Sequence, residues 1–378
     1  MEIFFWILVF LILYHYLLFP LCTLLVGAFG EKRINKGNIF PRVSLIVAAY
    51  NEEKVIESKI RNCFELEYPR DKLEIIIVSD GSTDKTAEIV EDFRSIGVIG
   101  LFDPPRKGKT AALNRAVAFA SGEILVFSDA NSMYDSQAIK LLVRNFQDRS
   151  VGGVCGRKQI VVNGARESSR GDGLFWDFES VIKINQSRIG SITTGDGEIF
   201  AVRKDLYKKI PEQVINDDTS ITFNIIRQGY RVVYEPKAVS NEEASIVLKD
   251  DFNVKARMVC GGYQTIVLYM GMLFPPRNLF AIQFISHKVL RWMMPWFLIS
   301  FFTISLFLLH GFYLYVFYFQ SIFYLMALMG YATRNQRGVE RLFYFPAYYC
   351  AMNAAAVFGM FYYFSGRAGV SIWKKAQR

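Results

Sequence analysis

Three long stretches without a charged side chain constrain the fold of this 378-residue chain more than any other feature. They cover residues 3–30, 292–333 and 342–366, and the first two enclose a polar region at 31–291. A membrane-spanning helix needs roughly 20 apolar residues. The first and third stretches are each long enough for one span, and the second, with a turn near His310-Gly311, for two. We therefore predict one membrane helix before the polar region and three after it.

The first stretch could instead be a cleaved secretory signal peptide. No basic residue precedes its apolar part, and it is longer than the apolar core of such a peptide. These two features favour a retained helix.

Positive charge clusters at the ends of the uncharged stretches. The chain carries 44 basic and 35 acidic residues, a net charge of +9 that in a soluble protein would suggest nucleic acid. The clustering suits anionic lipid and the positive-inside bias instead. We therefore predict a multi-pass plasma-membrane protein with no nucleic-acid partner and with its polar region in the cytoplasm. One conflict is the tail at 367–378, which four spans place outside although it is basic.

The cysteine and histidine patterns exclude two kinds of site. The five cysteines are scattered without a C-x-x-C pair, so they form neither a disulfide framework nor a zinc site. All three histidines lie in or beside membrane segments. A histidine-based metal site is therefore not expected.

The polar region alternates between strand and helix patterns. Short apolar, β-branched runs predict strands at 43–49, 73–79, 98–102, 123–127 and 231–234. Helical patterns between and after the first of them cover 52–64, 83–93, 110–119 and 136–146. The alternation predicts an α/β domain with βαβ units and a sheet buried on both faces.

Polar clusters follow three of these strands, at 50–53, 80–84 and 129–131. Ligands of such sheets collect beyond the carboxyl ends of the strands, so the shared location predicts a binding site. Each cluster alone could be an Asx turn or a helix cap. The basic loop at 106–110 is not a P-loop, because Asp103 replaces its first glycine, but it precedes a helix N-terminus and suits a phosphate.

Seven segments, in order over about 200 residues, resemble the membrane-bound family 2 glycosyltransferases, the group of cellulose, chitin, hyaluronan and bacterial exopolysaccharide synthases. The segments are 48–53 (AAYNEE), 78–84 (VSDGSTD), 108–114 (GKTAALN), 127–131 (FSDAN), 195–203 (GDGEIFAVR), 217–218 (DD) and 229–236 (GYRVVYEP). The resemblance implies a GT-A type nucleotide-sugar-binding domain with a mixed, mostly parallel sheet, plus transmembrane helices.

The resemblance also implies which residues bind the donor, most often a UDP-sugar. They are Tyr50, Glu52, Asp80, Lys109, Asn114 and Asp129, with Lys109 approaching the diphosphate. Asp129 and Asn131 would hold Mg²⁺ or Mn²⁺. Asn131 stands where the family has a second carboxylate. An amide oxygen still ligates a hard cation, but one negative charge is lost.

For catalysis, the resemblance implies that Asp218 is the base, with Asp217 beside it and Arg257 near the diphosphate. Asp196 and Gly197 would line the acceptor pocket. The structural alternative is that the two aspartates only begin a helix, because negative charge near a helix N-terminus interacts favourably with the helix dipole.

The chain departs from the processive synthases around Arg257. Val254 and Met258 stand where those enzymes have the glutamine and tryptophan of Q-x-x-R-W. The tryptophan that would stack on the acceptor sugar is missing, which leaves room for transfer of a single sugar to a lipid-linked acceptor. Tyr263, or Phe175 with Trp176, could supply another aromatic surface.

The expected organisation has five parts. They are a membrane helix at 1–30, a cytoplasmic GT-A catalytic domain at 31–243, amphipathic interface helices at 244–291, three membrane helices at 292–366 and a basic tail at 367–378. The expected function is inverting transfer from a nucleotide-sugar to a growing polysaccharide or lipid-linked glycan, with an unknown export partner. The alternatives from other classes are an inactive nucleotide-sugar sensor and a transporter, and the lack of charges within the spans argues against the transporter.

Overall fold

The computed structural model of the chain describes residues 1–30, 32–161, 167–243, 248–333 and 340–366. At the N-terminus, helix α1 (Glu2–Leu13), a π-helical turn (Tyr14–Leu18) and α2 (Phe19–Phe29) form one continuous helix. The basic tail lies outside the described residues, so its side of the membrane stays a prediction.

One eight-stranded sheet organises the polar region, with the order β3-β2-β1-β4-β7-β6-β8-β5. The β1–β2, β2–β3, β1–β4 and β6–β8 pairs are parallel, and the other three pairs are antiparallel. The predicted mixed, mostly parallel sheet is therefore confirmed. The strands are β1 (Val43–Ala49), β2 (Leu73–Ser79), β3 (Val98–Phe102), β4 (Ile124–Asp129), β5 (Met133–Tyr134), β6 (Val151–Val161), β7 (Phe200–Arg203) and β8 (Arg231–Glu243).

Helices cover both faces of this sheet. Successive side chains of a strand point to opposite faces, and in these strands both sets are apolar. In β1, Leu45 and Val47 pack with Ile60 in one core, and Ile46 packs with Leu113 in the other. All five side chains are buried. The helices of this region are α3 (Ile56–Phe64), α4 (Thr86–Asp92), α5 (Lys109–Phe119), α6 (Ala138–Val143), α7 (Glu167–Ile189) and α8 (Asp217–Arg227).

The register of the parallel strands brings the polar clusters to one edge of the sheet. Ala49 of β1 is paired with Ser79 of β2, and Ala48 is paired with Asp129 of β4. The residues that follow these three strands therefore emerge side by side, as the sequence pattern predicts.

Strands β5, β6 and β7 were not predicted from the sequence, and β8 is longer than the predicted strand. Strand β6 begins with Val151-Gly152-Gly153, and glycine is unfavourable in a strand interior. The structure requires these glycines, because a Cβ on Gly152 would lie 2.7 Å from Cγ2 of Ile225 in α8. Close packing of a helix on the strand explains the missing β signal.

From residue 248 onward, the described residues form helices and their connections. The helices are α9 (Leu248–Leu268), α10 (Met270–Leu273), α11 (Leu279–Phe284), α12 (Leu290–Ser305), α13 (Gly311–Ala332) and α14 (Glu340–Phe364). A π-helical turn, Ile285–Val289, joins α11 to α12 without a break. The last of the interface helices expected at 244–291 therefore begins at Leu279 and continues as one helix into the apolar stretch.

Two helices in the described residues are long and apolar enough to cross a membrane, Glu2–Phe29 and Gly311–Ala332. Both expose large apolar side chains along their length, among them Phe10, Phe319 and Leu328. The break at residues 306–310 agrees with the predicted turn. Helices α12 and α14 do not meet the same criteria within the described residues, so the four-span topology stays a prediction.

Helix α14 packs closely along α9. A Cβ on Gly359 would lie 2.4 Å from the carbonyl oxygen of Ala256, so the two backbones are in direct contact. The rings of Tyr263 and Tyr363 stack with centroids 6.0 Å apart. An apolar helix from the end of the chain thus supports the helix that carries Arg257.

A buried ion cluster around Glu179 joins α7 to the π-helical turn and α12. Glu179 lies 2.9 Å from Nζ of Lys288, 2.6 Å from an Nη atom of Arg291 and 3.2 Å from Nε2 of His287. Burial raises the pKa of Glu179, but Arg291 and Lys288 outweigh burial and hold it well below its ordinary value. This Glu179 cluster ties the sheet domain to the apolar helices.

Candidate active site

Asp80 fixes the basic loop that leads into α5. It follows β2 and is buried, and its two carboxylate oxygens accept hydrogen bonds of 2.8 Å from the backbone N–H groups of Lys107 and Gly108. Gly81 has a φ of +66°, and a Cβ there would lie 2.7 Å from the backbone nitrogen of Arg106. The Asp80-Gly81 pair therefore lets the loop approach the end of β2.

The Arg106 guanidinium stacks on the Tyr50 ring next to Asp80. The guanidinium of Arg106 lies 3.8 Å from the centroid of the Tyr50 ring, and its Nε lies 3.9 Å from Oδ2 of Asp80. Asn51 has a φ of +54°, and its side-chain oxygen accepts from the backbone N–H of Thr83. These contacts hold the ends of β1 and β2 together and leave Tyr50 and Glu52 partly exposed.

Lys109 and Asp129 form the centre of the site. Nζ of Lys109, the first residue of α5, lies 2.6 Å from Oδ1 of Asp129, the last residue of β4. Burial opposes the charge on Lys109, but Asp129, Asp217 and Asp218 raise its pKa above the ordinary value. Lys109 is therefore a permanent cation at the edge of the sheet.

Asp217 and Asp218 reach this cation from the first turn of α8. Burial raises the pKa of Asp217, while Lys109 opposes the shift. Burial, followed by the negative charges of Asp217 and Asp196, raises the pKa of Asp218 to about 7. A carboxyl group with such a pKa can accept a proton at neutral pH.

Gly197 lies against this group of charges. A Cβ at this position would be 3.2 Å from Nζ of Lys109 and 3.7 Å from Oδ2 of Asp217. The absence of a side chain at Gly197 therefore leaves space directly beside Lys109 and Asp217.

Arg257 of α9 approaches the same carboxylates. Burial lowers the pKa of Arg257, and attraction to Asp129, Asp217 and Asp218 opposes that shift. The structure thus brings together one lysine, one arginine and three aspartates from β4, α5, α8 and α9.

The amide nitrogen of Asn131 is hydrogen-bonded to Glu242. Nδ2 donates a 2.8 Å hydrogen bond to Oε1 of Glu242, and Glu242 also pairs with Lys158. Lys158 in turn lies 2.5 Å from Oε1 of Glu198. Because the nitrogen is held by Glu242, the amide oxygen is the atom left to act as a ligand.

The fit of a divalent cation follows from these donors. Asp129 offers a carboxylate and Asn131 an amide oxygen, and hard cations prefer oxygen ligands. Within the described part of the chain, no group of three or more His, Cys, Asp or Glu side chains could hold a metal. A cation held by Asp129 and Asn131 alone would need further oxygen ligands, which a bound diphosphate or water can supply.

Asp196, expected in the acceptor pocket, is paired with Lys183 of α7, with Nζ 2.6 Å from Oδ2. Lys183 is buried, and its pKa is raised because Asp196 outweighs the effect of burial. The sequence does not reveal Lys183, since a lysine inside a long amphipathic helix carries no motif. This pair fixes the loop that contains Gly197.

Asn114 makes its hydrogen bonds to a different part of the protein. Its amide oxygen accepts from the hydroxyl of Tyr207 (2.9 Å) and from the backbone N–H of Ile210 (3.2 Å), and its nitrogen donates to the carbonyl of Ile210. These bonds hold the 207–210 loop. The structure does not bring the Asn114 amide together with Lys109 and Asp129, and a nucleotide contact stays a prediction.

Lys59 is a second residue that the sequence did not reveal. It is fully buried on α3, it donates to the carbonyl of Ser132, and its Nζ lies 4.1 Å from the centroid of the Tyr134 ring. Burial lowers its pKa, and Cys63 and Asp129 oppose that shift. Lys59 therefore supports the Asp129-Asn131 turn from beneath.

The chain is similar in sequence and in fold to known glycosyltransferases. The sequence profile of the glycosyl transferase family 2 matches residues 44–211. The chain is 26% identical over 235 residues to the probable glycosyltransferase YdaM of Bacillus subtilis (strain 168), covering 58% of this chain and 55% of the relative. It is 27% identical over 224 residues to the poly-beta-1,6-N-acetyl-D-glucosamine synthase of Staphylococcus aureus (strain COL), covering 57% and 53%. The chain thus spans about half the length of these curated relatives.

Among solved structures, the mannosyltransferase PcManGT of Pyrobaculum calidifontis, in complex with GDP-Man and Mn²⁺, superposes with a TM-score of 0.72. The sequences are 22% identical, and the match covers 96% of this chain and 99% of that one. At this identity the likeness concerns the fold, and it extends over the C-terminal helices as well as the sheet. The matched profile, together with the relatives, identifies residues 44–211 as a glycosyl transferase family 2 domain.

Proposed function

We propose that the chain transfers a sugar from a nucleotide-sugar, most simply a UDP-sugar, to a growing polysaccharide or lipid-linked glycan, with inversion at the anomeric carbon. The proposal depends above all on one observation. Asp129, Asp217 and Asp218 surround Lys109 at the carboxyl edge of the sheet, and Asp218 has a pKa of about 7.

The donor would lie along the ends of β1, β2 and β4. A nucleobase would stack beside Tyr50 and Arg106, whose guanidinium covers one face of the tyrosine ring. Lys109 and Arg257 supply positive charge for the diphosphate. Asp129 and Asn131 would hold Mg²⁺ or Mn²⁺, and such a cation neutralises charge on a diphosphate leaving group.

Asp218 would act as the general base. It accepts the proton of the acceptor hydroxyl while that oxygen attacks the anomeric carbon from the side opposite the diphosphate. The bond from the anomeric carbon to the diphosphate oxygen breaks, and its electron pair leaves with the nucleoside diphosphate. Lys109 and Arg257 stabilise the charge that develops on this leaving group.

A membrane location would explain the exposed apolar helices. Glu2–Phe29 and Gly311–Ala332 are long enough to cross a bilayer, and they expose side chains such as Phe10 and Phe319. The basic residues next to the apolar stretches favour a plasma-membrane protein with its catalytic domain in the cytoplasm. The acceptor would then be presented at the membrane surface.

Transfer of a single sugar is the second candidate. Met258 directly follows Arg257, at the position where processive synthases have a tryptophan. Its side chain is 39% exposed. Methionine offers no aromatic face for an acceptor sugar. This observation favours a short product over a long polymer.

The test is an incubation of the detergent-purified chain with labelled UDP-GlcNAc, UDP-glucose, UDP-galactose and GDP-mannose. Each donor is supplied with Mg²⁺, with Mn²⁺ or with a chelator. We expect one of the donors to release its nucleotide, and we expect the chelator to abolish this release. The size of the labelled product then distinguishes synthesis of a polymer from transfer of a single sugar. Binding of a donor without any release would contradict the proposal and would indicate a sensor.

A further inference from the structure

A cleft of about 420 Å³ lies between the end of α8 and the α10–α11 connection. It is far along α8 from the candidate base, since Asp218 is in the first turn of this helix and Arg227 is its last residue. The lining residues are Ile226, Arg227, Gly271, Met272, Phe274, Pro275, Arg277 and Asn278. The cleft is therefore separate from the carboxylate group at the sheet edge.

The charge of this cleft is entirely positive. Arg227 and Arg277 are its charged lining residues, and both are exposed. Neither arginine forms an ion pair with an acidic side chain of the described residues. An arginine carries a fixed charge and a planar set of donors that matches phosphate.

The rim of the cleft is apolar and turned outward. On α11, Phe280, Ala281 and Phe284 are buried against Phe223 and Tyr269, in the third core of the protein. The opposite face of α11 exposes Leu279 and Ile282, which are 48% and 46% accessible. Met270 and Phe274, beside the cleft, are exposed to a similar degree at 50% and 44%.

Arginines in a cleft surrounded by exposed apolar side chains match the boundary of a bilayer, where headgroup phosphates lie next to acyl chains. A soluble anion would need the arginines but not the apolar rim. The third core fixes the rim from behind, so the apolar side chains cannot turn inward to be buried.

We propose that this cleft binds the phosphate of an anionic glycerophospholipid between Arg227 and Arg277, with Phe274, Leu279 and Ile282 in the lipid boundary. The inference rests on the membrane location given under the proposed function. The bound headgroup would fix the C-terminal end of α8 at the bilayer surface and leave the first turn of α8 facing the donor.

The experiment measures phosphatidylglycerol retained by the purified full chain. The protein is reconstituted in nanodiscs of phosphatidylcholine and phosphatidylglycerol, re-extracted in neutral detergent and analysed by mass spectrometry. The R227Q/R277Q variant should bind phosphatidylglycerol about thirtyfold more weakly than the unmodified chain, since each arginine near the surface contributes about one kcal/mol. The R227K/R277K variant should retain most of the binding.

The matched control is R61Q/R94Q, because Arg61 and Arg94 are exposed arginines on the sheet domain. Equal retention by R227Q/R277Q and the unmodified chain, or equal loss in the control, would overturn the lipid site. Displacement of the lipid by inorganic phosphate at equal concentration would identify a site for free phosphate instead.

Nucleotide release by the same preparations separates the two proposals. If only the lipid site is wrong, the unmodified chain and R227Q/R277Q release nucleotide at the same rate and retain the same phosphatidylglycerol. If the proposed transfer is wrong, the unmodified chain releases none, whatever its lipid content. Thermal unfolding of each variant shows whether a loss of lipid reflects misfolding.

Discussion

Two clusters of buried charge in this protein are built in opposite ways. In the Glu179 cluster, one carboxylate meets Lys288, Arg291 and His287 within 3.2 Å, and its charge is fully compensated inside the chain. At the sheet edge, three aspartates converge on Lys109, with Arg257 nearby. The pKa values differ accordingly, being depressed at Glu179 and raised at Asp217 and Asp218.

The difference shows which cluster serves structure and which serves chemistry. A compensated ion cluster fixes the position of its elements and has no need of a ligand. An excess of carboxylates is destabilising because the like charges repel each other, and binding of a cation or a proton relieves this repulsion. Substitutions in the two clusters should therefore have different effects.

Replacing Asp218→Asn should nearly abolish sugar transfer. The amide cannot accept the proton of the acceptor, and a positioned base typically contributes 10²–10⁴-fold. Transfer rates measure the loss, and calorimetric titration should show that nucleotide still binds. The exposed Asp205→Asn serves as control, and full activity of Asp218→Asn would remove Asp218 from the mechanism.

Replacing Glu179→Gln should strongly destabilise the fold. The change leaves Lys288 and Arg291 without their anion, and breaking a buried pair costs about 3 kcal/mol. Thermal unfolding in detergent measures the effect. The control is Glu91→Gln, which breaks an exposed pair with Arg94 and should change stability by less than about 0.5 kcal/mol. Equal effects in the two variants would show that the Glu179 cluster is not a structural anchor.

Replacing Asn131→Asp should weaken metal use, although it adds a carboxylate. The new carboxylate would face Glu242, where the amide now donates a 2.8 Å hydrogen bond, and the repulsion would turn it from the site. We expect about a tenfold higher half-saturating Mn²⁺ concentration in the transfer assay, a difference of about 1.4 kcal/mol. The double variant with Glu242→Gln should recover, and tighter Mn²⁺ binding by Asn131→Asp alone would contradict this account.

The pH profile of transfer should show the raised pKa of Asp218. The base must be deprotonated, so the rate should rise with pH and level off above about 7. In Asp217→Asn, a neighbouring negative charge is removed, the pKa of Asp218 falls, and the midpoint should move to lower pH. The exposed Glu212→Gln should leave the midpoint in place. If the midpoint is the same in the unmodified chain and in both variants, Asp217 does not influence the pKa of the catalytic base.

Much of the sheet could be predicted from the sequence, because its central strands are continuous β-branched runs. The bounds predicted for β1, β2 and β3 are those observed. The location of the polar clusters at one edge also follows from parallel pairing alone. These features depend on local pattern and on simple topology.

The remaining features depend on contacts distant in sequence. The glycines of β6 suppress its strand signal because α8 packs directly on them. Lys183 and Glu179 stand inside one long helix, and their partners, Asp196 and Arg291, come from other elements. No local pattern distinguishes such residues from the solvated face of an amphipathic helix.

The contact between Gly359 and Ala256 has a practical consequence for anyone who wishes to study the catalytic domain alone. A soluble fragment ending at residue 243 would lack α9, and with it Arg257. A longer fragment ending after α9 would keep Arg257 but would lose α14, whose Gly359 packs directly against α9. Full competence should therefore require the intact polypeptide in detergent or lipid, and weak turnover by a trimmed fragment would say little about the enzyme itself.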